Sequence, residues 1–436
     1  MRRIDLALTA TVLVTATVIG LMSLQGCRND AAKPSTPTVV GPDSERTDIP
    51  VWPRPAASEA PRPMPAPVRA VWVARMHYEF PDDVRAIIRN CASLGFNTVI
   101  WQVRGNGTVG YRSAIEPFFE EFEYRDPGFD PLQLAVQEAH ARGLRIEAWM
   151  NVMPGWKGEK PPALQQQLYN THPEWFLYDD QGRRQELNEH YVIVNPCLPE
   201  VRAYLAGIAG EIAAGYDIDG LHLDYIRFAW DKTPNAQRRF PGDGRTLALF
   251  RRETGKSPAD DRRTWDSWRA AQLTQTVADI RRAVQRNRPG ATLTAAVWGS
   301  ADRGYRDYLQ NGGGWLRAGL LDAVMPMAYT PRVEEFERDI AAYQRVAPGR
   351  RVIPGVGIYL CVQPGQMNAQ LERCRGWGGD YCLFSYDSLH ATADDRRTGK
   401  ADDKEARLRA MRRGVLGGSM AEIDAESQPV TAGGLP

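Results

Sequence analysis

The stretch VRAVWVARMHYEFPDDVRAIIRNCASLGFNTVIWQVR, residues 68–104, carries one full repeat of the fold. Its two ends, VRAVWVAR (68–75) and NTVIWQVR (97–104), are nearly unbroken apolar runs, as expected of strands covered on both faces. Between them, DDVRAIIRNCASLG (82–95) places Val84, Ile87, Ile88, Cys91 and Leu94 at helical spacing and stops at Gly95. Strand, helix, strand in that order is the unit of a parallel sheet with its crossovers helical.

The unit recurs down the chain. Further strand runs are LRIEAWMN (144–151), IDGLHLD (218–224), ATLTAAVWG (291–299), LDAVMPMAY (321–329), RVIPGVGIYL (351–360) and DYCLFSYD (380–387). Helix-period segments fall between them at 130–143, 199–215, 268–284, 333–346 and 366–379; the first opens on an Asp-Pro cap signal and ends at Gly143. Eight such strands predict an α/β protein, a (β/α)8 TIM barrel over residues 68–390. An open doubly wound sheet is the other arrangement, but no Gly-rich phosphate fingerprint follows the first strand. The connections after strands 3 and 4, residues 152–198 and 225–265, are too long for plain crossovers. Both lie on the strand C-terminal face and hold Trp156, Trp175, Tyr178 and Trp230, as loops that shape a cleft would.

Outside the barrel the reading changes character. Met1-Arg2-Arg3, an apolar run over 6–24 and Leu24-Gln25-Gly26-Cys27 read as a lipoprotein signal peptide over 1–26, with Cys27 the lipidated residue; an uncleaved N-terminal membrane anchor is the alternative. Residues 27–67 form a Pro-rich tether that cannot build a core. Residues 391–436 read as a largely disordered tail with room for one helix at 401–413. Lys+Arg of 54 against Asp+Glu of 53 leaves a net charge of +1, so no nucleic-acid partner is expected. HExxH, Cys-x-x-Cys, G-x-S-x-G and P-loop patterns are missing, so no metal and no cofactor is expected. Of the cysteines after Cys27, Cys374 and Cys382 straddle the last helix–strand turn and could pair; buried small hydrophobes are the default for them and for Cys91, Cys197 and Cys361.

The run Asp219-Gly220-Leu221-His222-Leu223-Asp224-Tyr225-Ile226-Arg227-Phe228 resembles the fourth-strand signature of the glycosyl-hydrolase-like 10 family. The resemblance extends to VRAVWVAR, NTVIWQVRGNGTVGYRSAIEPF, EAWMN, VNPCLPEVRAYL, MPMAYT and FSYDSL, and so covers nearly all of 68–390. It departs at Glu147, where many relatives carry His, and at Cys197, where Gly is common. The resemblance implies a barrel glycoside hydrolase of the cell envelope that acts on a polysaccharide, with peptide-free peptidoglycan glycan strands as one candidate substrate.

Glycosidic bonds are usually cut between two carboxyl groups. Strand alternation puts Leu221 and Leu223 on one side of strand 4 and His222 and Asp224 on the other, so Asp224 should face the barrel mouth. The spacing also resembles the alpha-amylase-type fourth strand, whose nucleophile is the second Asp of a similar run. Arg227 could hold Asp224 ionised, or the two could be a structural pair. Asp219 reads as a cap at the strand start. For the second carboxylate the candidates are Glu147, Asp302 and Asp387. Glu147 shares strand parity with Trp149 and Asn151, which suggests the mouth; the alternative is a buried Glu paired with Arg145 or Arg104. Gln102, Arg104, Trp149, Asn151, His222, Tyr225, Arg227, Trp298, Tyr329 and Tyr386 supply amides, guanidinium groups, phenols and indoles suited to sugar, and Trp156 and Trp230 could stack on pyranose faces. His77 is either ligand-facing or merely in a loop. Two functions stay open: a glycoside hydrolase, or a tethered carbohydrate-binding barrel without catalysis.

Overall fold

Residues 60–228, 240–399 and 401–415 are described by the structure, a computed structural model. Strands β1 (Arg69–Val73), β2 (Thr98–Arg104), β3 (Arg145–Asn151), β4 (Gly220–Asp224), β5 (Thr292–Trp298) and β6 (Ala323–Met327) pair in sequence order, all parallel. β7 comes in two pieces, Arg351–Val352 and Gly355–Gly357, and β8 is Tyr381–Phe384. Gly355 pairs with both Met327 of β6 and Cys382 of β8, and β8 pairs with β1, so the sheet closes on itself as a (β/α)8 barrel.

Local chemistry explains the elements. Helix α1 (Pro81–Ser93) begins on Pro81, whose missing N–H costs nothing there, and buries Val84, Ile87, Ile88 and Cys91 against the sheet. Helix α2 (Pro131–Ala141) begins at Asp130, whose carboxylate accepts from the Gln133 amide. Gly95 and Gly143, just past these helices, have φ of +73° and +70°, a conformation only glycine adopts cheaply. RVIPGVGIYL does not stay one strand to its end. Pro354 has no amide to donate and interrupts β7, and Ile358–Leu360 turns into a short 3₁₀ segment.

Each strand has two burial environments. Val71, Val99, Ile146, Leu221, Leu293, Val324 and Leu383 point outward into the layer beneath the helices. Ala70, Trp72, Ile100, Trp149, Ala296, Met325, Ile353 and Cys382 point into the barrel and fill it. At roughly 1.5–3 kcal/mol per large apolar side chain, these two layers dominate the stability.

Both edges of the predicted barrel move outward. Residues 60–67, read as the end of a coreless tether, are packed. Met64 enters the interior cluster, the Arg62 amide donates to Asp219 Oδ1 at 2.7 Å, and the Arg62 carbonyl accepts from Arg145 Nε at 3.2 Å. The described part of the tail, 391–399 and 401–415, is likewise folded. Ala393–Arg397 and Ala401–Val415 are helices, and the second buries Leu408 and Met411 one turn apart. The second of these helices matches the one for which 401–413 had room; the packing of 60–67 and the helix Ala393–Arg397 left little trace in the sequence because each segment has only one or two apolar anchors among polar residues. Cys374 and Cys382 do not pair: all five cysteines from Cys91 onward are free thiols in buried positions. The signal peptide, Cys27, most of the tether and residues 416–436 lie outside the described residues. Among the described residues no helix is long and apolar enough to cross a membrane.

Candidate active site

The strand C-termini converge on one mouth, and β4 brings Asp224 to it. Register pairs Asp224 with Asn151 at the end of β3. Asp224 is only 6% exposed, and its Oδ1 accepts from the Tyr225 amide at 2.6 Å. Tyr225 itself has φ of +54°, a left-handed conformation that costs a non-glycine residue free energy and turns the chain sharply after the acid. Burial pushes the Asp224 pKa above the usual carboxylate value. The Arg227 charge, the Tyr225 amide and the Trp149 indole N–H act in the opposite direction. Burial thus outweighs the neighbouring cation and donors, a perturbation of the kind found at functional carboxyls.

Around Asp224 the predicted polar and aromatic set assembles in part. Trp149 Nε1 donates to Asn151 Oδ1 at 2.9 Å, which fixes both side chains at the top of β3. The Arg227 guanidinium lies 4.0 Å from the Tyr225 ring centre and 5.5 Å from that of Trp298. Its Nη1 is 3.9 Å from Asp224 Oδ1, an ion pair too long for a hydrogen bond. Tyr329, above β6, stacks on Phe384 at 5.2 Å between ring centres and meets Tyr359 edge-on. Burial, then the Asp224 charge, raise the Tyr329 phenol pKa, which places Tyr329 within electrostatic reach of that acid.

Other predicted site residues are elsewhere. Glu147 has the right parity but the wrong depth: it is four residues before Asn151 on β3, about 13 Å toward the barrel bottom at ~3.3 Å per residue. There it is paired with Arg145 and hydrogen-bonded by Thr292 and Thr294. His222 is fully buried. Its Nε2 accepts from Trp72 Nε1 at 3.1 Å, so Nδ1 carries the proton and donates to Thr294 Oγ1 at 2.8 Å. Burial lowers the His222 pKa to about 3, and the ring is neutral. It is a link in the interior and does not reach the mouth.

Arg104 is also consumed. It forms a fork with both oxygens of Glu116, at 2.8 and 2.7 Å, and its Nη1 donates to the carbonyls of Asn151, Val152 and Pro154, so it holds the end of β3 without presenting a donor to substrate. Gln102 accepts from the Arg75 amide at 3.0 Å and is buried. Tyr386 turns toward α1, where its hydroxyl accepts from Asn90 Nδ2 at 2.8 Å. Trp156 is buried and donates to the Lys160 carbonyl. Trp230 lies outside the described residues. Asp219 serves the barrel bottom as expected, accepting from the Ile146 amide at 2.8 Å and contacting His140.

Two acids remain at the rim. Asp302 is exposed in the first turn of the helix Ala301–Tyr308, after β5. Asp387 follows β8, accepts from Ser385 Oγ, and stands 4.0 Å from His77 Nε2. In an eight-strand ring β8 is opposite β4, so the topology puts Asp387 across the mouth from Asp224. His77 is buried, with Nδ1 accepting from the Ala74 amide at 3.1 Å, and burial lowers its pKa.

One group of residues at the mouth escaped the sequence reading. The long connection after β3 folds as a hairpin, Pro154–Lys157 against Tyr191–Ile193. Tyr191 reaches Tyr225 at 4.9 Å between ring centres, edge to face. The aromatic and β-branched run Tyr191-Val192-Ile193-Val194 was a usable strand signal, but its pairing partner is some 35 residues away and cannot be read locally.

The chain matches the family model described as glycosyl hydrolase-like 10 over residues 67–377. It is 29% identical over 309 residues to the glycosyl hydrolase DigH of Escherichia coli (strain K12), a match that covers 63% of this chain and 65% of that protein. It is 24% identical over 301 residues to the glycosyl hydrolase YngK of Bacillus subtilis (strain 168), covering 60% and 54%. The match thus spans less than two thirds of these relatives' own length. Among solved structures, the glycoside hydrolase domain of PgaB (BpsB) from Bordetella bronchiseptica superposes with a TM-score of 0.59 at 16% identity, covering 79% of this chain and 99% of that one. The alpha-L-fucosidase isoenzyme 2 of Paenibacillus thiaminolyticus gives a TM-score of 0.56 at 14% identity, covering 80% and 49%. At such identities the likeness shows the barrel fold.

Proposed function

The chain belongs to the glycosyl hydrolase-like 10 family, and from that premise we propose that it is a glycoside hydrolase that cuts O-glycosidic bonds of a cell-envelope polysaccharide, with peptide-free peptidoglycan glycan strands as the first substrate to test. The observation that carries the proposal is Asp224: a buried carboxyl at the end of β4, with its pKa raised by burial, beside a guanidinium that does not fully pair with it. In its protonated form Asp224 can deliver a proton to a leaving oxygen; ionised, it can meet positive charge at the anomeric carbon. Asp387 is the acid assigned to the opposite side of the mouth, and Trp298, Tyr329 and Trp149 supply the faces for sugar rings. The N-terminal sequence supports anchoring through a lipid on Cys27, with the barrel facing the periplasm or the exterior.

The test is release of new reducing ends from purified, peptide-free glycan strands. Wild-type protein should release them, and Asp224→Asn and Asp387→Asn should each reduce the rate without loss of fold. The fate of Glu147 favours keeping a second reading, a carbohydrate-binding barrel without catalysis, since one of the proposed acids is consumed inside the barrel. Binding without cleavage across a panel of glycans would establish that reading. Cys27→Ser should move the protein from the membrane to the soluble fraction; retention on the membrane would identify an uncleaved anchor.

A further inference from the structure

Beside Asp224, between the hairpin after β3 and the turn after β4, lies a cavity of about 210 Å³. Lys157, His190 and Tyr191 line it from the hairpin side, Tyr225 and Arg227 from the β4 side. The Arg227 side chain is 7% exposed, yet its Nη1 has no hydrogen-bond partner among the described residues. A buried guanidinium N–H left without an acceptor is costly, so such a group in a native pocket marks a place where an acceptor arrives.

The charges around the cavity point to what that acceptor is. Lys157 sits with its ammonium 5.5 Å from the Tyr191 ring centre, and no described carboxylate comes within ion-pair distance of it. Glu189 is the one acid of the hairpin on this wall, and its carboxylate stands 3.8 Å from His190 Nε2. Asp224 touches Arg227 only at 3.9 Å, and burial favours its neutral form. A group entering the cavity thus meets the Arg227 guanidinium, whose hydrogen bonding is incomplete, and the Lys157 ammonium, which has no ion-pair partner among the described residues, with aromatic walls behind them. A planar carboxylate matches that donor set, because it accepts from both cations at once. With room for several groups of water size, about 30 Å³ each, the cavity admits an acidic substituent.

We propose that this cavity binds the carboxylate of an acidic sugar unit of the glycan, next to the bond at which Asp224 acts. The proposal rests on the Proposed function for the position of the scissile bond alone. Two kinds of sugar carry the required group: a uronic acid, with the carboxylate on the ring, and an amino sugar bearing an ether-linked acid.

Tetrasaccharides of each kind, in the free-acid form and with the carboxyls reduced to alcohols, are titrated calorimetrically into the full protein. Where cleavage occurs, kcat/KM is measured on the same four probes. For one of the two kinds the acid form should bind tighter than its alcohol by roughly tenfold or more, the usual worth of a charge-assisted contact. That preference should fall several-fold in Lys157→Met, return in Lys157→Arg, and weaken as salt is raised. Equal affinity for acid and alcohol in both kinds of sugar, or no binding of any probe, overturns the proposal, whatever the turnover. A clear acid preference without any cleavage, on these probes and on the glycan panel, supports the cavity and refutes the hydrolase reading, so the two ideas fail separately.

Discussion

Two Arg–carboxylate pairs stand inside the same barrel and have opposite fates. At the bottom, Arg145 pairs with Glu147 through Nη1, and each of its three nitrogens has a partner: Nε on the Arg62 carbonyl, Nη2 on the Asp219 carbonyl and Thr292. Glu147 in turn ends a chain that runs from the Trp72 indole through His222 and Thr294. Gly220 makes the arrangement possible, since a Cβ there would meet Thr292 Oγ1 at 2.4 Å and Arg145 Nη2 at 3.0 Å. At the mouth, Arg227 and Asp224 stay 3.9 Å apart, and Arg227 keeps an unused N–H. A saturated buried network rigidifies; an unsaturated one leaves donors and a perturbed acid for something else to engage. Both places pair a guanidinium with a carboxylate, and satisfaction separates scaffold from site.

The same chemical change at each pair gives the sharpest contrast. Asp224→Asn should lower turnover on a cleavable glycan by on the order of 10²–10⁴ while the thermal midpoint barely moves. Glu147→Gln should do the reverse: it strands the Arg145 charge in the barrel and should cost about 3–5 kcal/mol in a denaturant titration. A stable Glu147→Gln protein with lost turnover would move Glu147 from scaffold to catalysis and break the contrast.

Acid should weaken the barrel interior through its buried neutral imidazoles. His222 titrates near 6.5 when unfolded and near 3 in place, because burial penalises its charged form. Its folded pKa is depressed, so the stability it contributes is complete above pH 6.5. That contribution falls as pH drops toward 3, by a few kcal/mol in all. His390, lowered to about 4 by burial, adds the same sign over a narrower window. Urea midpoints at pH 7, 5.5 and 4.5 measure this, and His222→Asn should flatten the slope; an unchanged slope in that variant would mean that the ring is not the neutral link described.

The smallest effect concerns the floor of the barrel. A chain starting at residue 68 should be less stable than one starting at residue 60 by roughly 1–3 kcal/mol, for the loss of the Met64 packing. Equal thermal midpoints for the two would return residues 60–67 to the tether.

What could be read beforehand follows the range of the interactions involved. The strands, the cap at Asp130, and the stops at Gly95 and Gly143 were legible because alternation, helical period and capping act within a few residues. Parity also sent Asp224, Asn151 and Trp149 to the lumen side correctly. Parity carries no depth, however, and so it could not choose between the mouth and a buried pair with Arg145 for Glu147, which is the buried pair, and it set His222 beside Asp224 although that ring lies in the interior. Arg104 and Tyr386 were misread for a related reason. Their partners, Glu116 and Asn90, are chosen by packing between elements and leave no local trace.

The sequence by itself determined the barrel, its strand order, the family and the acid at the end of β4, because each of these is written in short-range pattern. The tertiary structure alone decided which Arg meets which carboxylate, which of those pairs is complete, and that a hairpin from the β3 connection closes a cavity beside Asp224. Those outcomes depend on distances of a few tenths of an ångström between residues far apart in the chain, and hydrogen bonding is decided at that scale.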